Sequence, residues 1–192
     1  FQSLDGNPEV RFFNAGRVES AQGPQCELIV AAVRGDTLDA MLTAADEAKL
    51  EVDAIDFAPA AMFRPFERFL KREEDAGQIN AFLDLGQGGS RLVITQGDEI
   101  AFAKTLDIGC AAFQSAIGSS LSVGADEAAE LFALSMRTAE PSAAGATDER
   151  LPAVWQALAA PIEQLGKEIG LCLRYYSVTF RGLRPDGITC VG

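Results

Sequence analysis

The stretch Phe82-Leu83-Asp84-Leu85-Gly86-Gln87-Gly88-Gly89-Ser90-Arg91-Leu92-Val93-Ile94 sets one acid at the end of an apolar run and follows it with nearly bare backbone. A second apolar run, Arg91 to Gln96, leaves the turn. Two strands joined in this way form a hairpin. Glycine lets backbone approach a ligand closely and tolerates positive φ. N–H groups in such a turn can hold phosphate oxygens, and a carboxylate at the strand end can hold Mg²⁺ or its waters. Asp84, Gly86, Gln87, Gly88, Gly89 and Ser90 are therefore candidate phosphate-site residues, with Asp84 the candidate metal acid. An ordinary hairpin with a glycine-rich loop has the same letters, and both readings remain open on this stretch.

Other chemistries are excluded by composition. The 192 residues contain no histidine, which removes Ser-His-Asp and Cys-His catalysis and the usual zinc sites. Twenty-eight acidic residues against sixteen basic ones give a net charge of −12, so a phosphate backbone is repelled and nucleic acid is not an expected partner. No apolar run approaches the ~18 residues that span a bilayer, and no direct membrane insertion is expected. Cys26, Cys110, Cys172 and Cys190 are far apart, lie in apolar surroundings and form no C-x-x-C, so they read as buried reduced thiols.

The elements that must position the hairpin follow from pattern. Residues 9–19 and 26–33 read as strands. Gly35-Asp36 opens a helix with Leu38, Met41, Leu42 and Ala45 at helical spacing, and the alternation over 51–57 predicts a further strand. The expected unit is β-β-α-β. A helix from Pro59 to Glu74 follows, with an apolar stripe of Met62, Phe63, Phe66, Phe69 and Leu70, and Pro65 predicts a kink or break in it. The hairpin over 81–96 continues through a Gly97-Asp98 turn into a strand over 99–106, making a three-strand meander. Helices over 110–121 and 125–137 come next, the second with Asp126 and Glu127 favourably placed in its first turn. Residues 138–150 read as a loop. A long helix over 152–180 carries Val154, Leu158, Ile162, Leu165, Ile169, Leu173 and Tyr176 on one face. Gly182 and Pro185 end it, and 188–191 start a strand. The chain opens at Phe1, with residues 2–8 loop-like, and its last residues read as a strand cut short, so a fragment of a longer protein is expected.

A family resemblance rests on the order of several short stretches. These are Ala54-Ile55-Asp56, Phe82 to Gly88, Lys104-Thr105-Leu106-Asp107-Ile108-Gly109 with Phe113, Asp126-Glu127-Ala128-Ala129-Glu130-Leu131, Gly170 to Ser177, and Ile188-Thr189-Cys190-Val191-Gly192. In this order and spacing they resemble the PilM family, actin-like proteins of bacterial type IV pilus assembly that are related more distantly to the cell-division protein FtsA. The resemblance runs from about residue 25 to the end. It implies an α/β, actin-like fold with one ribonuclease-H-like lobe plus a small α/β subdomain. The subdomain is expected over 1–57, a linking helix over 58–76, and the second lobe, incomplete at its C-terminal end, over 77–192.

The resemblance also implies ligands. Residues 82–90 fall on the family's second phosphate-binding hairpin, with Asp84 at its metal- or water-associated acid and Gly86, Gly88 and Ser90 in the phosphate loop. Gly192 falls at the first glycine of the adenosine motif. ATP and Mg²⁺ are thus expected ligands of the intact protein but not of this fragment. The family's first phosphate motif, another Asp-x-Gly hairpin, has no counterpart in these residues. Leu106 to Gly109 has similar letters but lies at the end of the meander and reads as a structural turn. Where the family usually has Glu-Ala-Glu-x-Leu-Lys, this chain has Glu127-Ala128-Ala129-Glu130-Leu131-Phe132, with an aromatic in place of a lysine that can touch nucleotide. Gly88-Gly89 stand where hydroxyl residues are common.

The implied function is a cytoplasmic scaffold, peripheral to the inner membrane, that docks the short tail of a PilN-like membrane protein and binds ATP as a conformational ligand. In that family the tail lies in a hydrophobic groove between the extra subdomain and the first lobe, which residues 26–57 are expected to help line. At most a slow ATPase is expected. A scaffold that has lost its nucleotide and an actin-fold phosphotransferase are the alternatives, and homo-oligomerisation stays open.

Overall fold

The computed structural model describes residues 7–137, 148–179 and 184–191. Most of the loops expected over 2–8 and 138–150, the helix stop at Gly182, and Gly192 lie outside the described residues. The chain divides into two compact units, which are taken separately: residues 1–81, 93–103 and 185–187, and residues 82–92, 104–184 and 188–192.

In the first unit, β1 (Pro8–Ser20) and β2 (Gly23–Arg34) pair antiparallel, with Phe12 opposite Val30 and Phe13 opposite Ile29. The register shifts between Asn14 and Gly16, leaving Ala15 as a buried bulge residue. Directly opposed residues share a face of the ribbon. On one face Phe13 stacks on Phe57, ring centroids 5.0 Å apart. The other face leaves Val10, Phe12, Leu28 and Val30 exposed, Phe12 at 72%. Helix α1 (Gly35–Glu47) follows directly and buries none of its side chains.

The strand expected over 51–57 does not form: the ribbon has two strands, and these residues run without regular structure. Their alternation marks no buried face, since Val52 and Ile55 are exposed. Asp56 instead accepts a hydrogen bond from the Phe57 N–H and pairs with Arg64, a local bonding that competes with a ladder. Phe57 is the N-cap of α2 (Ala58–Glu67), which ends seven residues short of its expected limit. Pro65 removes an N–H donor and crowds the carbonyl four residues back, so the helix stops within a turn of it. One 3₁₀ turn, Glu73–Asp75, leads on. Of the expected stripe Phe63 is buried and Phe69 exposed.

The main sheet contains β3 (Ile79–Leu85), β4 (Ser90–Gln96), β5 (Glu99–Leu106) and β6 (Ile188–Val191), in the order β5-β4-β3-β6. The short links 86–89 and 97–98 allow only antiparallel neighbours. Leu92, Val93, Ile94 and Thr95 of β4 are fully buried in succession, as a strand covered on both faces requires. Gly97 adopts φ 58° at the first position of its turn, where a type II′ hairpin uses glycine, and its N–H bonds the Gln78 carbonyl at 2.8 Å.

In the second unit, α3 (Cys110–Leu121) buries Phe113 and Ile117, α4 (Ala125–Arg137) buries Ala128 and Leu131, and α5 (Leu151–Thr179) packs against both. Phe132 stacks offset on Phe113, centroids 5.7 Å apart and rings nearly parallel. The buried line of α5 runs through Leu151, Val154, Leu158, Leu165, Cys172 and Tyr176, while Ile162, expected on it, is exposed. All four cysteines are free, but only Cys172 is buried and Cys110 half-buried; Cys26 and Cys190 are exposed, contrary to expectation, because one lies on the open face of a two-stranded ribbon and the other on an edge strand.

Arg150 ties the start of α5 to the first turn of α4. It pairs with Asp148 at 2.8 Å and with Glu127. The Arg150 guanidinium, helped by the Arg150 backbone N–H, holds the Asp148 carboxyl down to about 2 from an ordinary 3.8. Since the folded value is the depressed one, the Asp148–Arg150 pair contributes fully above the ordinary range and fades as pH falls toward 2. A carbon-detected NMR titration should place the Asp148 midpoint near 2, and Arg150→Gln should return it to the ordinary carboxylate range. An unchanged midpoint in the variant would assign the shift elsewhere.

Candidate phosphate-loop hairpin

Strands β3 and β4 are joined by Gly86-Gln87-Gly88-Gly89. The hydrogen bond between Gly97 and Gln78 fixes the far end of the register, which brings Asp84 opposite Arg91. Their side chains meet as an ion pair at 2.6 Å, with 20% and 38% of the side chain exposed. The next pair inward toward the loop ends in Ser90, which is fully buried and donates its hydroxyl to the Ile108 carbonyl at 2.5 Å.

The loop sits on the N-terminus of α3. A helix begins with four N–H groups that have no intrahelical partner. Here the Cys110 N–H bonds the Gly86 carbonyl and the Ala111 N–H bonds the Gln87 carbonyl, both at 2.9 Å. The Cys110 thiol donates to the Leu85 carbonyl at 3.5 Å, and burial pushes that thiol up. The Gln87 amide bonds the Gln114 side chain at 3.0 Å. Gly109, the N-cap, has an ordinary φ of −138°, so its constraint is space. A Cβ there would fall 2.5 Å from the Gly89 nitrogen, 2.7 Å from the Gln87 oxygen, and against the Gly86 oxygen. At the tip, Gln87 and Gly88 are exposed and nothing lies within 4 Å of where a Gly88 Cβ would stand.

The structure thus brings Asp84, Gly86, Gln87, Gly88, Gly89 and Ser90 into one hairpin, but gives them different surroundings. The Ser90 hydroxyl faces the interior. The carbonyls of Gly86 and Gln87 face the helix. The exposed tip of Gln87 and Gly88 is the part that a phosphate could reach. Leu106 to Gly109 serves structurally, supplying the seat of the loop. Gly192 lies outside the described residues. Two residues carry the site and were not singled out from sequence: Arg91, legible from its symmetric placement with Asp84 about a four-residue turn, and Gly109, legible only once the loop is known to dock there.

The donor set does not fit a directly held Mg²⁺. That ion needs near-octahedral oxygen ligands and resists dehydration, and the one acid of the hairpin already neutralises a guanidinium. Among the described residues no group of three or more His, Cys, Asp or Glu side chains is arranged to hold a metal. Nor does the stretch 126–132 present a cation to a nucleotide. Asp126, Glu127 and Glu130 line an acidic cavity of about 400 Å³ together with Asp148 and Arg150, while Phe132 turns to Phe113.

No protein-family model matches the sequence, and no curated protein matches it. Among solved structures, a chain of a "PilM-PilN type IV pilus biogenesis complex" superposes with a TM-score of 0.74 at 22% identity, over 96% of this chain and 49% of that one. This chain therefore spans about half the length of the chain it matches. The fold is α/β and actin-like, as the order of motifs predicts; at this identity the likeness carries the fold alone. No described helix is long and apolar enough to cross a membrane.

Replacing Gly109 by Ala forces the loop off the helix or the helix off the sheet. Overpacking of this kind costs roughly 1–3 kcal/mol. Urea unfolding of Gly109→Ala should show that loss, and a variant as stable as the parent would mean that the loop does not depend on this close approach.

Proposed function

We propose that this chain is part of an actin-like scaffold of type IV pilus assembly machinery, lying at the cytoplasmic face of the inner membrane through a PilN-like partner. The observation that carries the reading is the structural likeness over 96% of the chain to a PilM–PilN complex.

The short cytoplasmic tail of the partner docks, in this reading, on the open face of the β1-β2 ribbon. Val10, Phe12, Leu28 and Val30 are contiguous there, and an extended peptide gains both apolar contact and a strand edge from such a ribbon. The intact protein would take ATP as a conformational ligand, its phosphates approaching the exposed tip at Gln87 and Gly88, and binding would shift the population of closed molecules without fast turnover. A nucleotide-free scaffold is the second reading. It is favoured by the Asp84–Arg91 pair and by the Phe132–Phe113 stack, which replace features a nucleotide clamp would use.

Fluorescence anisotropy with a labelled synthetic peptide of a PilN-like protein's cytoplasmic tail tests the docking. The parent chain should bind, and Phe12→Asp should weaken binding at least tenfold (about 1.4 kcal/mol) while the thermal midpoint stays put, since Phe12 is mostly exposed. Equal affinity of parent and variant would remove the ribbon from the partner site. For the nucleotide, ATP with Mg²⁺ should raise the melting temperature of the longer protein; an unmoved midpoint would select the nucleotide-free scaffold.

A further inference from the structure

We propose that Arg91 is the resident cation of the hairpin: its guanidinium holds the place at Asp84 that a divalent ion would need, and so excludes Mg²⁺ from this carboxylate. The inference concerns the same hairpin as the nucleotide part of the proposed function, and rests on the register and ion pair described above rather than on ATP being bound.

Three observations carry it. Asp84 and Arg91 face each other across neighbouring strands, so the contact is set by the ladder and not by a wandering side chain. The separation of 2.6 Å between Arg91 Nη1 and Asp84 Oδ2 is that of a charge-assisted bond, and the carboxylate is largely shielded, with 20% of its side chain exposed. The same nitrogen lies 3.6 Å from where a Cβ of Gly86 would stand, so the positive charge rests beside the first glycine of the loop. A guanidinium is always charged and more weakly hydrated than a metal ion, and it holds a carboxylate oxygen without an octahedral shell. A divalent ion approaching Asp84 meets that charge at contact distance, and only Oδ1 lies outside the pair. The positions of the two residues, symmetric about the turn, make Arg91 a specificity-determining residue: it sets which cation the acid serves.

The test uses Mn²⁺ alone as the probe, read by paramagnetic broadening of backbone amides in the present chain. In the parent, millimolar Mn²⁺ should leave the amides of residues 84–89 sharp, whatever it does at the exposed acidic cavity by α4. Arg91→Gln should broaden them with an apparent affinity about tenfold or more above the parent, and the added exchange Asp84→Asn should abolish that gain. Arg91→Lys keeps a cation at the position and should behave as the parent does. Broadening centred on Asp84 in the parent, equal to that in Arg91→Gln, would overturn the proposal. If Arg91→Gln does not fold, the parent titration and Arg91→Lys still decide it, since selective broadening at Asp84 in either is incompatible with an excluded metal. Failure of ATP to bind the longer protein would count against the nucleotide reading and leave this result untouched.

Discussion

The carbonyls of Gly86 and Gln87 accept the first N–H groups of α3, and the rest of the hairpin is arranged around that contact. A helix N-terminus carries partial positive charge and unsatisfied donors, which is what makes it attractive to anions. In this chain two of those donors are satisfied by the protein's own loop. Gly109 must then lack a side chain, Ser90 is drawn inward to the Ile108 carbonyl, and α3 is held so that Phe113 lies buried where Phe132 can stack on it. A phosphate arriving at the loop therefore meets the exposed tip, not the end of the helix. Gly86 and Gly89 serve the close packing of the loop at least as directly as they serve any ligand.

What this arrangement leaves accessible is in keeping with the proposed function. The hairpin offers little machinery for a reaction: its acid is paired, its hydroxyl is buried, and the aromatic at 132 belongs to the interior. The first unit offers the reverse, an apolar ribbon face with no covering element among the described residues. Burial of such a face is the usual source of association energy. An open apolar face of this kind is in keeping with the proposed scaffold role.

Much of this was legible in the sequence, and the successes and failures have separate causes. The limits of α3 and α4 are met because strong local signals flank them: Gly109 before the first, Ser122 and Gly124 between the two, acids in the first turn of the second. The meander is legible because alternating apolar runs are cut by glycine turns. The error at 51–57 arose because alternation predicts a half-buried strand only when a neighbour exists to bury it, and the ribbon supplies none. The overlong α2 came from giving an apolar stripe more weight than Pro65. Exposure of Cys26 and Cys190 depends on which faces other elements cover, a tertiary matter that apolar sequence neighbours do not report. In the site, residue types located the hairpin, but pairing across the strands decided what each side chain does. Asp84 read alone is a metal acid; read with Arg91 it is half of an ion pair.

At twenty-nine residues α5 extends for about 44 Å at the usual helical rise. Its beginning is clasped by Arg150 to α4, and its buried line keeps close to a seven-residue step through Leu151, Leu158, Leu165 and Cys172. Helices of this length bend only gently unless something interrupts them, and here Pro161 stands inside the helix, where it has no N–H for the Ala157 carbonyl. The element is thus a long rod with a built-in soft point, about a third of the way from its clasped end.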